Sequence, residues 1–560
     1  MSLPDFDYVI VGGGAAGCVL ANRLSARSTN RVLLVEAGKN VETGKEPSDI
    51  LSRFPLSYYN PQYKWHTIRG HWKTKSSSPE VIIEQGKVLG GSSSIMGMIA
   101  LRGIPQDYDR WEALGATGWG WKNVLPFFRK LETDLDFEGP MHGNNGPTIV
   151  SRNPSESWPP VAHAALQLAL RQGLTHVRDA NVEFDDGICT LPIAASKTVR
   201  SSSVTCYLTP KIRARANLKI LTETYLESLV FDGRKITGIK ILHNDWLNEI
   251  SAKNVILTAG ALQTPVILLR AGIGNASELQ RVGTTVRLNR PGVGRNLQNH
   301  AAMFLGAYLK PEGRDNRLDR NHNNIGFRFS SGLASAPASD MFAVIQNRSA
   351  WHALGSRVLG ASTILHKPAS RGSIRLTPDE PQKPLVEFNF LESSLDLDRL
   401  KSGLLWTIDL LKSPEVSKLT RFSFPVIRAD KLRQLNVRTF SNKIKTTLAS
   451  QVFDAAPKLG RSLFSRLIAG PQLESLVQND RYLIEHISQN ISGLAHHAGT
   501  CRMGSSSDPM AVVDSSGLVH EMDGLYVADA SVMPEVPSGN TFLPTVMVAE
   551  KISESLLGSH

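Results

Sequence analysis

The chain has 560 residues, 41% of them hydrophobic and 20% charged, with a net charge of +11; that is enough for two or three domains and is the ordinary balance of a globular protein. No apolar run reaches 18 residues, the four cysteines show no Cys-x-x-Cys spacing, and no nucleic-acid-binding motif occurs, which speaks against a membrane-spanning helix, a disulfide framework, a metal site and a nucleic-acid partner. With a first strand expected by residue 7, no leader segment is expected and the reading is a reduced, cytoplasmic protein.

In chain order, residues 7–38 come first: DYVIVGGGAAGCVLANRLSARSTNRVLLVEAG. Residues 8–11 form a short apolar run that predicts a buried parallel strand, followed at once by Gly12, Ala15 and Ala16 between the spaced glycines, Gly14 and Gly17. A helical run with Cys18, Leu20, Ala21 and Leu24 follows, then a second strand over 32–35 that ends in Glu36 and Ala37. This is a strand-turn-helix-strand unit with a GxGxxG turn. Gly12 permits the turn, Gly14 lets backbone approach a pyrophosphate, Gly17 lets helix pack on strand, and Glu36 accepts from an adenosine ribose hydroxyl. The motif predicts a dinucleotide site and leaves NAD and FAD open.

Residues 38–79 are polar and irregular, with Tyr58, Tyr59, Tyr63 and Trp65; so long a segment is a functional loop or lid, or plain surface covering. Residues 85–103, QGKVLGGSSSIMGMIALRG, place Gly90, Gly91 and three serines before an apolar, helix-like run. They read as a second phosphate-cradling turn or as an N-capped helix. Residues 254–259 predict a buried strand ending at Gly260, with a helix over 262–269, and residues 525–527 a further strand with Asp529 at its carboxyl end and a helix from near Pro544. Ligands of an open parallel sheet sit at the carboxyl ends of its strands, so the start and finish of the chain are expected to converge on one cofactor. Between them, 363–390 reads as strands broken by turns and 395–411 as a helix. Residues 428–468 carry nine Lys or Arg against two Asp; this basic, partly helical stretch is a solvated insertion, or a lid, partner or peripheral membrane contact.

These motifs together resemble the glucose-methanol-choline (GMC) family of FAD-dependent oxidoreductases. The GxGxxG turn, the LGGSS segment, GALQTPVILLRAGIG at 260–274, PGVGRNLQNH at 291–300, HAGTCRMG at 497–504 and GLYVADASVMPEVPSGNTFLPTVMVAEKI at 524–552 stand in family order. Ala271 replaces the usual serine of the second signature and Asn299 the usual aspartate of PGVGxNLxDH. The runs DYDRWEALGATGWGW and HGNNGP resemble those of bacterial aryl-alcohol and 5-hydroxymethylfurfural oxidases.

The resemblance implies an α/β fold. A discontinuous Rossmann-like FAD-binding domain (1–155, 210–310, 490–560) would be joined to an α+β substrate-binding domain (156–209, 311–489) on an antiparallel sheet; the basic helical insertion around 421–468 departs from the family pattern. It implies FAD contacts from Gly12, Gly14, Ala15, Ala16, Gly17, Glu36 and Ala37, from Leu89, Gly90, Gly91, Ser92, Ser93, Gly97 and Met98, and from Leu226, Ala259, Gly260, Asp529, Ala530, Asn540 and Thr541. It places the substrate beside Met96, Met98, His366, Ala495, His496 and Asn540. Alcohol oxidation needs a base for the hydroxyl proton and an acceptor for the hydride. His496 carries over as the base, three residues before Gly499, and Asn540, eleven before Lys551, as its partner; an amide is no base at neutral pH, so Asn540 positions the alcohol. His497 is read as standing behind His496. Ile95 replaces the histidine of covalently flavinylated members, which implies noncovalent FAD, and Met96 replaces a usual asparagine. The implied activity is oxidation of a primary alcohol, aromatic or furanic, with oxygen as acceptor. A quinone-linked dehydrogenase and a GMC-type hydroxynitrile lyase are the alternatives.

Overall fold

The computed structural model describes residues 5–380, 382–427, 429–456, 461–462 and 473–558. Strand β1 (Phe6–Val11) runs into helix α1 (Ala15–Leu24) and strand β2 (Val32–Val35), as the spacing predicts. β1 lies at the centre of a seven-stranded sheet, parallel to β2 on one side and to β4 (Trp246–Leu257) on the other, with Tyr8 opposite both Val32 and Asn254. Strand β3 (Leu218–Leu221) continues the parallel order beyond β2, and β5 (Leu525–Val527) beyond β4. Because Val9 and Ile10 are fully buried, this part of the sheet has a helix or loop on each face, the usual condition of parallel strands. The outer half of β4 turns antiparallel and joins the hairpin strands Thr224–Asp232 and Lys235–His243.

Helix α2 (Gly260–Arg270) follows β4, and helix α3 (Phe542–Gly558) packs on α1. α3 begins two residues before Pro544, so the proline sits inside its first turn, where its missing N–H costs no helical hydrogen bond. Glu550 on α3, with a fully buried side chain, accepts two-pronged hydrogen bonds from Arg23 of α1 and one from Tyr207, locking the first and last helices together.

The second layer is an eight-stranded sheet formed from Thr420–Pro425, Ala301–Leu309, Val358–Leu365, Met341–Gln346, Asn323–Phe329, Gly187–Thr190 and Thr175–Val177 in that order, with Ser492–Gly493 also pairing to Ala301–Leu309. Helix Ser394–Lys412 covers it, close to the predicted 395–411. Two boundary expectations need correction, and the expected antiparallel sheet carries one exception. Residues 301–309 belong to this sheet and not to the dinucleotide-binding part, because their partners are Val358–Leu365 and Thr420–Pro425. The sheet is antiparallel except for one parallel pair, 175–177 with 187–189. Residues 203–207, expected in the substrate domain, form a short helix against α1.

The long segment after β2 is not wholly irregular: Arg69–His71 and Glu80–Ile82 form a small four-stranded sheet with Ser373–Arg375 and Leu385–Glu387. In the basic stretch, Thr420–Pro425 is a strand and Ala429–Asn436 and Phe440–Ala455 are helices, while much of 457–472 lies outside the described residues. Among the described residues no helix is long and apolar enough to cross a membrane.

Candidate active site

A cavity of about 1120 Å³ runs from the carboxyl ends of β1 and β2 to the face of the eight-stranded sheet. It exceeds the roughly 300–1,000 Å³ that hold one drug-sized ligand, and so has room for a dinucleotide and a small substrate together. At the β1–α1 turn the three glycines answer different demands. Gly12 has φ +108° and a Cβ there would strike the Thr258 carbonyl, while a Cβ on Gly17 would lie 1.9 Å from the Gly12 carbonyl oxygen. A Cβ on Gly14 would meet no protein atom nearer than 3.9 Å. The protein therefore requires Gly12 and Gly17, and leaves the space before Gly14 open, where the unsatisfied N–H groups of the α1 N-terminus suit a pyrophosphate.

Glu36 accepts from the N–H of Gly13 and of Gly38, each at 2.7 Å, and burial pushes its pKa up to about 7. Asp529 is a strut as well as a cavity wall: it accepts from the Gly260 N–H, the Thr264 hydroxyl and the Ser531 N–H, tying the start of α2 to the turn after β5. Residues 90–94 make a glycine turn and a single 3-10 turn with no helix after it, which corrects the predicted helix-like run. Gly97 follows, and Met98 has φ +69°, a left-handed conformation that ends any helical path.

Of the expected FAD contacts, Gly17, Leu89 and Gly90 stand behind the wall and the others face the cavity. Leu89 is fully buried against Gly13, and the Gly90 N–H donates to the Gly13 carbonyl, so both brace the first turn from behind. All six expected substrate-side residues face the cavity. Ile95 is fully buried in the core and does not line the cavity.

Sequence reasoning missed several residues. Gln85 donates to the Ala259 carbonyl and presents a buried, unpaired Oε1. Arg200, 2% exposed and with its pKa lowered by burial to about 9, donates to the carbonyls of Ser93 and Met96 and so holds the second turn in place. Gln85 opens the 85–103 segment without its role being marked there, and Arg200 acts from behind the cavity wall; only the folded chain shows what each touches.

His496 is placed by strand pairing. Ser492–Gly493 pairs with Ala301–Ala302, and Gln298 and Ala498 exchange backbone hydrogen bonds, so the loop between them carries His496 against His300. The Asn299 side-chain oxygen accepts from the His496 backbone N–H at 3.2 Å. Nε2 of His496 is 3.0 Å from Asn540 Nδ2, and Nδ1 is 2.8 Å from Nδ1 of His300. His366 continues the cluster, 5.1 Å from the His300 ring and stacked on Phe342. His497 also reaches the cavity wall and packs on Phe388, and its buried Nε2 has no hydrogen-bond partner among the described residues. Burial lowers the pKa of His496 to about 4 and that of His497 to about 3, so both are neutral near pH 7.

Among the described residues, the carboxylates that face the cavity are all engaged: Glu36 and Asp529 as above, Glu84 with Lys64 and Tyr58, and Glu80 with Lys383. Away from the cavity, Glu132, Asp134 and His142 lie close enough to share a cation, but Arg102 and Arg152 already supply the positive charge.

The GMC oxidoreductase family profile matches residues 6–302 and 368–549. The chain is 38% identical to the 5-(hydroxymethyl)furfural oxidase of Methylovorus sp. (strain MP688), over 99% of this chain and 98% of that protein. The chain belongs to the GMC oxidoreductase family. It is also 30% identical to human mitochondrial choline dehydrogenase, over 100% of this chain and 90% of that one. Among solved structures it resembles pyridoxine 4-oxidase from Mesorbium loti, with a TM-score of 0.80 at 24% identity, covering 99% and 100% of the two chains. This GMC protein is an FAD-dependent oxidoreductase that oxidises an alcohol to an aldehyde, and the open space before Gly14, the helix N-terminus and the free Gln85 oxygen fit the dinucleotide.

Proposed function

We propose that the chain oxidises a neutral primary alcohol, aromatic or furanic, to its aldehyde, with His496 as general base, noncovalent FAD as cofactor and oxygen as terminal acceptor, released as hydrogen peroxide. The observation that carries this is the His496–Asn540 pair, 3.0 Å apart, in a cavity also lined by apolar residues such as Phe342, Val344, Leu359 and Ile364. Asn540 orients the alcohol oxygen, and His496, neutral through burial, takes the hydroxyl proton. When bound, FAD supplies the acceptor for the hydride leaving the carbon. With every cavity-facing carboxylate among the described residues already paired, nothing awaits a quaternary ammonium, which favours benzylic or furanic alcohols over choline. The kinship with a 5-(hydroxymethyl)furfural oxidase supports the same substrate class and oxygen. Noncovalent attachment is supported by the apolar, inward-turned Ile95.

The test is anaerobic reduction by benzylic, furanic, aliphatic and quaternary-ammonium alcohols, followed by air. We expect bleaching by the first two classes and peroxide release at a rate comparable with bleaching. Bleaching by choline alone would reject the substrate class, no bleaching at all would favour a lyase, and reduced colour persisting in air yet lost with a quinone analogue would favour a dehydrogenase. Acid precipitation should leave the yellow colour in the supernatant.

A second reading, peripheral membrane contact, is favoured by the helix Phe440–Ala455. It turns Thr446 and Ser450 inward and exposes Phe440, Ile444, Leu448 and Val452 beside Lys443 and Lys445. Co-sedimentation with anionic but not neutral vesicles would support it.

A further inference from the structure

His300 ends the PGVGRNLQNH segment and is wholly buried, yet it touches the residue read as the base. An imidazole Nδ1 facing another Nδ1 at 2.8 Å must share one proton between the two nitrogens, or the lone pairs repel. The contact with Asn540 decides which ring donates. Asn540 meets His496 Nε2 through its amide nitrogen, a group with hydrogens and no lone pair to offer, so Nε2 accepts and the ring proton of neutral His496 lies on Nδ1. On the far side, His300 Nε2 is buried and has no hydrogen-bond partner among the described residues, so no bond there holds the His300 proton on either nitrogen. With the ring proton of His496 on Nδ1, the facing Nδ1 of His300 is the lone pair that accepts it, and the His300 proton lies on Nε2.

We propose that His300 is a positioning residue that holds His496 in the Nδ1–H tautomer, so that the Nε2 lone pair points to Asn540 and the alcohol. The ring contact at 5.0 Å and 86° sets the rings edge to face, and the backbone bond from Leu494 to the His300 carbonyl fixes the loop that carries His496. When His496 takes the hydroxyl proton on Nε2, its Nδ1–H stays bonded to His300, which stabilises the cation formed. No proton need pass to His300. The carboxylate that performs this service in many hydrolases is here a neutral imidazole, and this keeps His496 unprotonated until substrate arrives.

The inference rests on His496 being the base, and the two are separable. In [15N]histidine-labelled holoenzyme near pH 7.5, with His496 assigned by its loss in His496→Ala, we expect a pyrrole-like Nδ1 and a pyridine-like Nε2. The reverse pattern would overturn the tautomer whatever the role of His496, whereas an unimpaired His496→Ala would overturn the base alone. His300→Leu should slow flavin reduction about tenfold or more, with KM and FAD content near the wild-type values. His300→Asn, whose amide oxygen can stand where Nδ1 stood and accept the same proton, should recover most of the rate. A wild-type rate in the leucine variant, or equal loss in both variants, would overturn the proposal; if the leucine variant fails to hold FAD, the spectrum and the asparagine variant decide.

Discussion

His496 and His497 are adjacent in the chain and equally ready in charge, since burial leaves both neutral at pH 7. Geometry separates them: only His496 meets Asn540. We expect His496→Ala to slow flavin reduction by roughly a hundredfold or more, the range for loss of a positioned base, and His497→Ala to do far less. Rapid-mixing measurement of bleaching checks both, and a reversal would move the base by one residue. Because the base must be unprotonated and its pKa lies near 4, the reduction rate should be flat across neutral pH and fall only as the pH drops toward about 4. Stopped-flow reduction under brief acid exposure measures that limb.

Among elements, the β1–α1 turn shows most plainly what spacing encodes. Gly17→Ala would drive a methyl into the Gly12 carbonyl, 1.9 Å away and part of the backbone, so neither helix nor strand can yield cheaply. We expect a loss of about 1–3 kcal/mol in stability together with loss of bound FAD, read from the denaturation midpoint and the ratio of flavin to protein absorbance. Gly14→Ala, with open space before it, should keep the apoprotein's stability and lose FAD alone. The strand, turn, helix and acid of residues 6–36 were legible because each is set by neighbours a few positions away. The strand Ala301–Leu309 was not, because its partners lie some fifty and one hundred and twenty residues further on and nothing local marks the pairing. The residues after Ser94 misled for a different reason: their apolar composition suits a helix, yet Met98 adopts φ +69° and the segment instead wraps the cavity. Of the site, motif position singled out His496 and Asn540, which the fold brings 3.0 Å apart, while His300 closes a motif that says nothing of its contact with His496 and Arg200 is marked by no motif.

For the whole molecule, buried histidines set opposing limits on pH. His300, His322, His352, His366, His486, His496 and His497 are all shifted down by burial, His352 and His486 to about 4 and His322 to about 3. Each binds a proton more readily unfolded, near 6.5, than folded, so its contribution is complete above pH 6.5 and is lost as pH falls from there toward the folded value. His142 runs the other way. Burial alone would lower it, but hydrogen bonds to Asp179 and Glu132 outweigh burial and raise its pKa to about 9. Its cation, with Arg102 and Arg152, balances Glu132, Asp134 and Asp179 within one buried network. That contribution is complete below 6.5 and is lost as pH rises through about 9. The melting temperature of the holoenzyme should therefore be highest near pH 6.5, falling below it as the buried histidines charge in the unfolded chain and falling above it, through about pH 9, as His142 loses its proton. His142→Gln should lower it most below about pH 6.5, where one buried carboxylate then lacks its cation, and should flatten the alkaline limb while leaving the acid limb in place. An alkaline limb that survives the substitution unchanged would place its origin outside this network.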